Sequence, residues 1–296
     1  MAPFQLRLWH LVRRDRYVPL FERISGRSDL FLMKFSDRVT LPIPAKAFPN
    51  ATIYGIDTIA HFETKDVPDN CYIQVADASY TCHRNFTLAL TRFYRAMNAA
   101  LDLPFEESTF DFIFMRGLIF DIKALNYKEL VTNMVTLLKP GGYIELNEQD
   151  VRLRNAGPIT AKFIDLETMA FDTEGFDSRL TRRMHKFLVR DSRITDVKTT
   201  FYSIPVGKQW AEPVAGLAAA DLLREYRGKR EWVAPRVGID LTDYDDIVDS
   251  VKREFMTAET TYVNYRIVYG RKIANVERNP SMKGANSTKL QGLVRL

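Results

Sequence analysis

Two short apolar runs in this chain each stop at an aspartate. Ala51-Thr-Ile-Tyr-Gly-Ile56 ends at Asp57, and Cys71-Tyr-Ile-Gln-Val-Ala76 ends at Asp77. Both runs are rich in β-branched and aromatic residues, as buried strands of a parallel sheet are, and open parallel sheets bind ligands at the carboxyl ends of their strands. A carboxylate at the first point can accept two hydrogen bonds from vicinal ribose hydroxyls. One at the next strand end can accept from an exocyclic adenine amine. The pair therefore suits a nucleoside-containing ligand. Taken singly, each aspartate also has a plainer reading as the cap of a following helix.

The elements that would position these carboxylates alternate along the chain. Leu30–Phe35 is a short apolar run of strand length, and Phe110-Asp-Phe-Ile-Phe-Met115 is another, stopping at Arg116. Gly142-Tyr-Ile-Glu-Leu146 follows a Lys139-Pro-Gly-Gly142 turn. Between the last two, Leu130, Val131, Met134, Val135, Leu137 and Leu138 form a stripe at helical spacing within Tyr127–Leu138. Later stretches read as helix over 159–192, strand over Val197–Ile204, helices over Val214–Tyr226 and Tyr244–Glu259, and strand over Tyr262–Tyr269. Strands separated by helical patterns argue for βαβ units and an α/β fold with a mostly parallel sheet.

The chain has 296 residues, 46% hydrophobic and 27% charged, which is a globular composition. The net charge is +5. Residues 271–296 hold Arg271, Lys272, Arg278, Lys283, Lys289 and Arg295 against Glu277 alone, so they carry all of it. A basic end rich in Asn, Ser, Gly and Lys reads as a solvated tail, and without interleaved aromatic residues nucleic acid is not an expected partner. Apolar runs are too short to span a bilayer, so no membrane partner is expected. The N-terminus lacks a continuous apolar stretch, so the expected location is cytoplasmic or nuclear. Two cysteines, Cys71 and Cys82, fit a reducing compartment. His10, His61, His83 and His185 show no metal-ligand spacing with them, so no metal site is expected. Neither a phosphate-binding loop nor a Gly-x-Ser-x-Gly elbow is present.

The series Phe48–Asp57, Val75-Ala-Asp-Ala78, Leu103–Arg116 and Leu137–Glu145 resembles, in order, the core of class I S-adenosylmethionine-dependent methyltransferases. It is most similar to the fungal group that includes methyltransferase-domain regulators of secondary metabolism. Asn155-Ala-Gly-Pro-Ile159, Ile204-Pro-Val-Gly207, Trp232-Val-Ala-Pro235 and Tyr265–Arg271 extend the likeness through the C-terminal half. The resemblance implies a Rossmann-like sheet of seven strands with the last antiparallel, and S-adenosyl-L-methionine as cofactor. Carried over by position, Asp57 would bind the ribose hydroxyls with Thr58 beside it. Asp77 and Ala78 would sit against the adenine, and Met115 and Arg116 would border the methionine end and the substrate. The acceptor would be a small molecule or a protein. Methyl transfer needs alignment more than proton chemistry, so no catalytic residue is assigned. His185, Tyr127 and Glu148 are candidates for a base, each with a plainer reading as a surface or packing residue, and Glu148 reads as solvated.

The resemblance divides the chain into an N-terminal helical extension over 1–28, a methyltransferase-like domain over 29–272, and the basic tail over 273–296. A helical insertion over about 208–260 would cap the cleft. Two stretches depart from the pattern. Leu30–Pro44, where a glycine-rich loop belongs, contains no glycine, and about twenty residues are inserted near 79–102. An altered exon structure accounts for both. So does a protein that no longer turns over and acts by interaction, which is the alternative to an active enzyme. A nicotinamide-dependent dehydrogenase ranks last, because Gly-x-Gly-x-x-Gly is also absent.

Overall fold

The computed structural model describes residues 30–35, 48–57, 69–75, 105–207 and 213–274. Its strands are β1 (Leu30–Phe35), β2 (Thr52–Asp57), β3 (Cys71–Val75), β4 (Phe110–Arg116), β5 (Leu138–Gln149), β6 (Ile194–Pro205) and β7 (Tyr262–Lys272). Its helices are α1 (Ala124–Leu137), α2 (Pro158–Thr173), α3 (His185–Val189), α4 (Val214–Gly228), α5 (Arg230–Val237) and α6 (Leu241–Thr257), with one 3-10 turn at Leu180–Arg182. The strands form one sheet in the order β3-β2-β1-β4-β5-β7-β6. β1 to β5 pair in parallel, and β7 runs antiparallel to both of its neighbours, β5 and β6. The expected reversal of the last strand is therefore present.

β1 is the middle one of the five parallel strands, with Phe35 in register with Arg116 and Leu30 with Thr52. The helical stripe foreseen over Tyr127–Leu138 belongs to α1, which buries Tyr127, Leu130, Val131, Met134, Val135 and Leu137. These pack in one core with Ile113, Met115, Ile144 and Leu146 of β4 and β5.

Three expectations need correction. Lys139-Pro-Gly-Gly142 is not a turn ahead of a strand; β5 begins at Leu138 and carries these residues as a bulge, where the register with β4 shifts between Phe110 and Phe112. Gly141 supplies φ +83° there. The helix read over 159–192 breaks after Thr173, where Gly175 takes φ +86°, and resumes only as the short turns before β6. The helical insertion holds a third helix, α5, which Pro235 had hidden from a propensity reading. The extension over 1–28, the stretch 36–47, the insertion near 79–102 and the tail from 275 onward lie outside the described residues.

At Gly142 a Cβ would lie 2.9 Å from the Asp111 carbonyl oxygen, 3.0 Å from that of Lys139 and 3.2 Å from that of Phe110. All three are backbone atoms of the bulge and its partner strand, so none can swing aside. Gly142→Ala should lower stability by about 2 kcal/mol, read as the urea midpoint at constant slope. An unchanged midpoint would refute the close approach of β4 and β5.

Candidate functional site

The parallel strands end on one edge. Asp57 is the last residue of β2 and is in register with Val75, the last of β3. Arg116 closes β4, in register with Phe35 of β1 on one side and Asn147 of β5 on the other. Thr58, Asp77 and Ala78 fall outside the described residues. Of the remaining assigned residues, Asp57 ends β2. Arg116 is half-buried at the same edge, and the Met115 side chain belongs to the core beneath α1. His185 is half-buried on α3, which leads into the amino end of β6 at the opposite edge.

Glu148 is not solvated: its exposure is 0%. Period-two alternation puts it on the α1 face, and α1 with the β4–α1 loop roofs that face over. The Leu118 amide donates to both of its carboxylate oxygens, at 3.0 and 2.9 Å, and the Ile119 amide to Oε2 at 3.2 Å. The Tyr127 hydroxyl donates to Oε1 at 3.1 Å. Burial pushes the Glu148 carboxyl up to about 7, against the pull of these donors. Tyr127 is held well above its ordinary range, by burial first and by the charge of Glu148 second. It is a packing residue that also donates, which is the plainer reading with a hydrogen bond added.

The opposite face of the sheet carries a second polar row. Arg116, Asn147, Gln149 and Tyr265 share that face by register. The Tyr265 hydroxyl donates to Gln149 Oε1 at 2.5 Å, and its ring stacks on Tyr202 at 5.2 Å with 3° between planes. Burial raises the Tyr265 hydroxyl, while the Arg116 charge works the other way. Gln149 and Tyr265 are separated by 116 residues, and nothing local in the sequence signals the pairing.

The inserted helices pack on α2. Glu254 of α6 caps the N-terminus of α2, accepting from the Ile159 amide at 2.9 Å and from the Thr160 amide and hydroxyl at 2.7 Å each. Gly157 makes room for it, since a Cβ there would lie 2.5 Å from the carboxylate. Phe171 contacts Phe120, Phe176 and Trp232 with ring centres 4.5, 5.6 and 4.7 Å away. The Lys229 ammonium pairs with Glu225 and lies 3.7 Å from the centre of the Phe120 ring. Phe120 belongs to the β4–α1 loop, so this cluster fastens the inserted helices to the loop that follows β4. Sequence reading expected helices here but not their fastening.

Among the described residues no group of three or more His, Cys, Asp or Glu side chains is arranged to hold a metal ion. Nor, among them, is any helix long and apolar enough to cross a membrane.

A family model described as a methyltransferase domain matches residues 43–146. No curated protein matches the chain in sequence. Among solved structures, the chain is similar to Haemonchus contortus phosphoethanolamine N-methyltransferase 2 in complex with phosphomonomethylethanolamine and S-adenosylhomocysteine, at 13% identity and a TM-score of 0.46. That match covers 90% of this chain and 57% of the other, so the chain spans little more than half that protein's length. It is similar also to YcgJ of Bacillus subtilis, at 14% identity and a TM-score of 0.48, covering 86% of this chain and 97% of that one. A third is the geranyl diphosphate C-methyltransferase of Streptomyces coelicolor A3(2), at 11% identity and 0.45, covering 89% and 80%. The strand order with its reversed seventh strand, together with the matched model, is the Rossmann-like fold of class I methyltransferases.

Proposed function

We propose that this chain is an S-adenosylmethionine-dependent methyltransferase acting on a small-molecule or protein acceptor. The observation that carries the reading is the placement of Asp57: it closes β2 beside the central β1, in a sheet ordered β3-β2-β1-β4-β5-β7-β6. What supports the cofactor is residue type and position: an aspartate ends the second strand of a five-strand parallel stretch. When bound, S-adenosylmethionine supplies a methyl group already activated on sulfur.

The chain's own work is then binding and alignment. Asp57 would accept from the ribose hydroxyls, with Thr58, Asp77 and Ala78 proposed for the rest of the nucleoside. Arg116, where β1, β4 and β5 meet at the edge, would border the methionine end and the acceptor. The cap of α4 to α6 would limit water at that edge. Supporting the finer placement near the fungal regulator group, two of its motifs meet in the fold: the Thr261 hydroxyl donates to the Asn155 carbonyl, and the Val206 amide donates to Thr261.

Calorimetric titration with S-adenosylmethionine and S-adenosylhomocysteine tests the reading. Micromolar binding is expected. Asp57→Ala should weaken it by about 1–3 kcal/mol, about a factor of 5 to 150, through loss of a charged acceptor. Absence of binding by the folded chain, or unchanged affinity in the variant, would overturn it.

A further inference from the structure

We infer that Glu148 is the positioning residue for the acceptor wall, fixing the β4–α1 loop where it leaves Arg116; the inference rests on the methyltransferase reading for what the loop lines. Three successive backbone N–H groups of the loop are spent on two successive residues of β5. The Gly117 amide donates to the Asn147 carbonyl at 3.1 Å, and the Leu118 and Ile119 amides donate to the Glu148 carboxylate. Gly117 takes φ +67°, which turns its neighbours' amides to one side. Consecutive amides so turned make a concavity that binds an anion. Here the anion is built in, and it comes from the adjacent strand.

Nothing about packing requires a charge at this position. A leucine would fill the same volume under α1, and an ionised carboxylate is costly to bury. The gain is geometric. A carboxylate is the only side-chain group that accepts from two adjacent amides and a hydroxyl at once without presenting a donor of its own. The groups facing it are Tyr127 from α1, Asp121 from the loop, and Arg266 from β7, which is in register with it. Arg266 is committed elsewhere, donating to both oxygens of Asp150 at 2.8 and 3.1 Å. The charge of Glu148 is thus balanced by the loop it holds, and the loop loses its anchor when the charge is lost.

The test uses the full chain with S-adenosylhomocysteine as the probe. Wild-type affinity is expected to fall between pH 8 and pH 6, as Glu148 takes up a proton near 7. In Glu148→Gln it should be about tenfold weaker at pH 8 and flat with pH, since an amide brings its own donors against the loop amides. Hydrogen exchange at Leu118 and Ile119 should quicken in step, with Phe112–Met115 unchanged. Tyr127→Phe, which removes one donor and keeps the packing, should show a smaller loss and serves if Glu148→Gln does not fold. Equal affinity and equal pH dependence in wild type and Glu148→Gln would overturn the inference. If the wild type binds no probe, the methyltransferase reading fails instead. Exchange at Leu118 and Ile119 then decides the anchoring alone, and protection there that survives Glu148→Gln overturns it.

Discussion

Phe163→Ala is expected to lower the stability of this protein by about 3–5 kcal/mol, the largest effect of any single change considered. Phe163 is 1% exposed on α2. Its ring meets Tyr226 of α4 edge-on at 4.8 Å and Tyr244 of α6 at 5.5 Å. The two tyrosines are themselves tied, the Tyr244 hydroxyl donating to the Tyr226 carbonyl at 2.8 Å. Truncation would open a void where three helices converge. Around it stand rings anchored by a hydrogen bond and by the Glu254 cap, so the space collapses poorly. Urea unfolding measures the loss. Phe201, on β6 and 57% exposed, is the control, and its alanine variant should change stability by less than about 0.5 kcal/mol. A loss below about 1 kcal/mol at Phe163 would mean that the cap does not pack on α2 as described.

The second large effect is one of pH. Burial raises Glu148 and Glu167 each to about 7 in the folded chain. At Glu167 burial is the largest cause, Lys229 pulls the other way, and Glu225 adds to the rise. A carboxyl with a raised folded pKa binds more protons folded than unfolded between its unfolded value and its folded one. Stability therefore falls as pH rises from about 4.5 to about 7 and levels off above, by up to about 3 kcal/mol for each group. Asp191 and Glu254 are shifted the other way. Arg193 donates to the first, and at the second the donors from Thr160 and Ile159 prevail over burial. Their stabilisation is present above the ordinary carboxylate range and is lost below it. Stability should thus peak near about pH 5.

Glu167→Gln separates the contributions. Glu167 Oε1 is buried with no hydrogen-bond partner among the described residues, so the amide forfeits nothing there, while Lys229 keeps Glu225 and the Phe120 ring. The variant should gain about 1–2 kcal/mol at pH 8, little at pH 5, and show a shallower slope between. Wild-type stability that rises from pH 5 to 7.5, with the same slope in the variant, would contradict this account.

The sheet was legible where a short apolar run has the length of a strand. Leu30–Phe35 became β1 with the same bounds, and the run ending at Asp57 became β2. Helix α1 was legible because its stripe packs against one layer. The end of β2 at Asp57 was legible because the apolar run stops there. Glu148 was misread because alternation says which face a residue takes and not what covers it. The roof over it comes from Leu118, Ile119 and Tyr127, about twenty to thirty positions away. Gln149 with Tyr265, and Lys229 with Phe120, join distant segments in the same way, and no spacing rule connects them. The Lys139–Gly142 bulge was read as a turn because Pro-Gly-Gly suits both, and only the register with β4 distinguishes them.

The position of β7 has a consequence for how the chain is made. β7 is the last described strand to leave the ribosome, yet it lies between β5 and β6 and, among the described residues, is the only strand β6 pairs with. Until residues 262–272 emerge, β5 and β6 both lack the described strand that joins them. Between the emergence of β5 and that of β7, the nascent chain must hold a half-built sheet with an exposed, hydrogen-bonding flank. Closure then comes in one late step, when a single strand zips both flanks together. A ribosome stalled anywhere before Tyr262 should therefore display a chain that still seeks that strand, and chaperones that shield unpaired edges should hold it longest there.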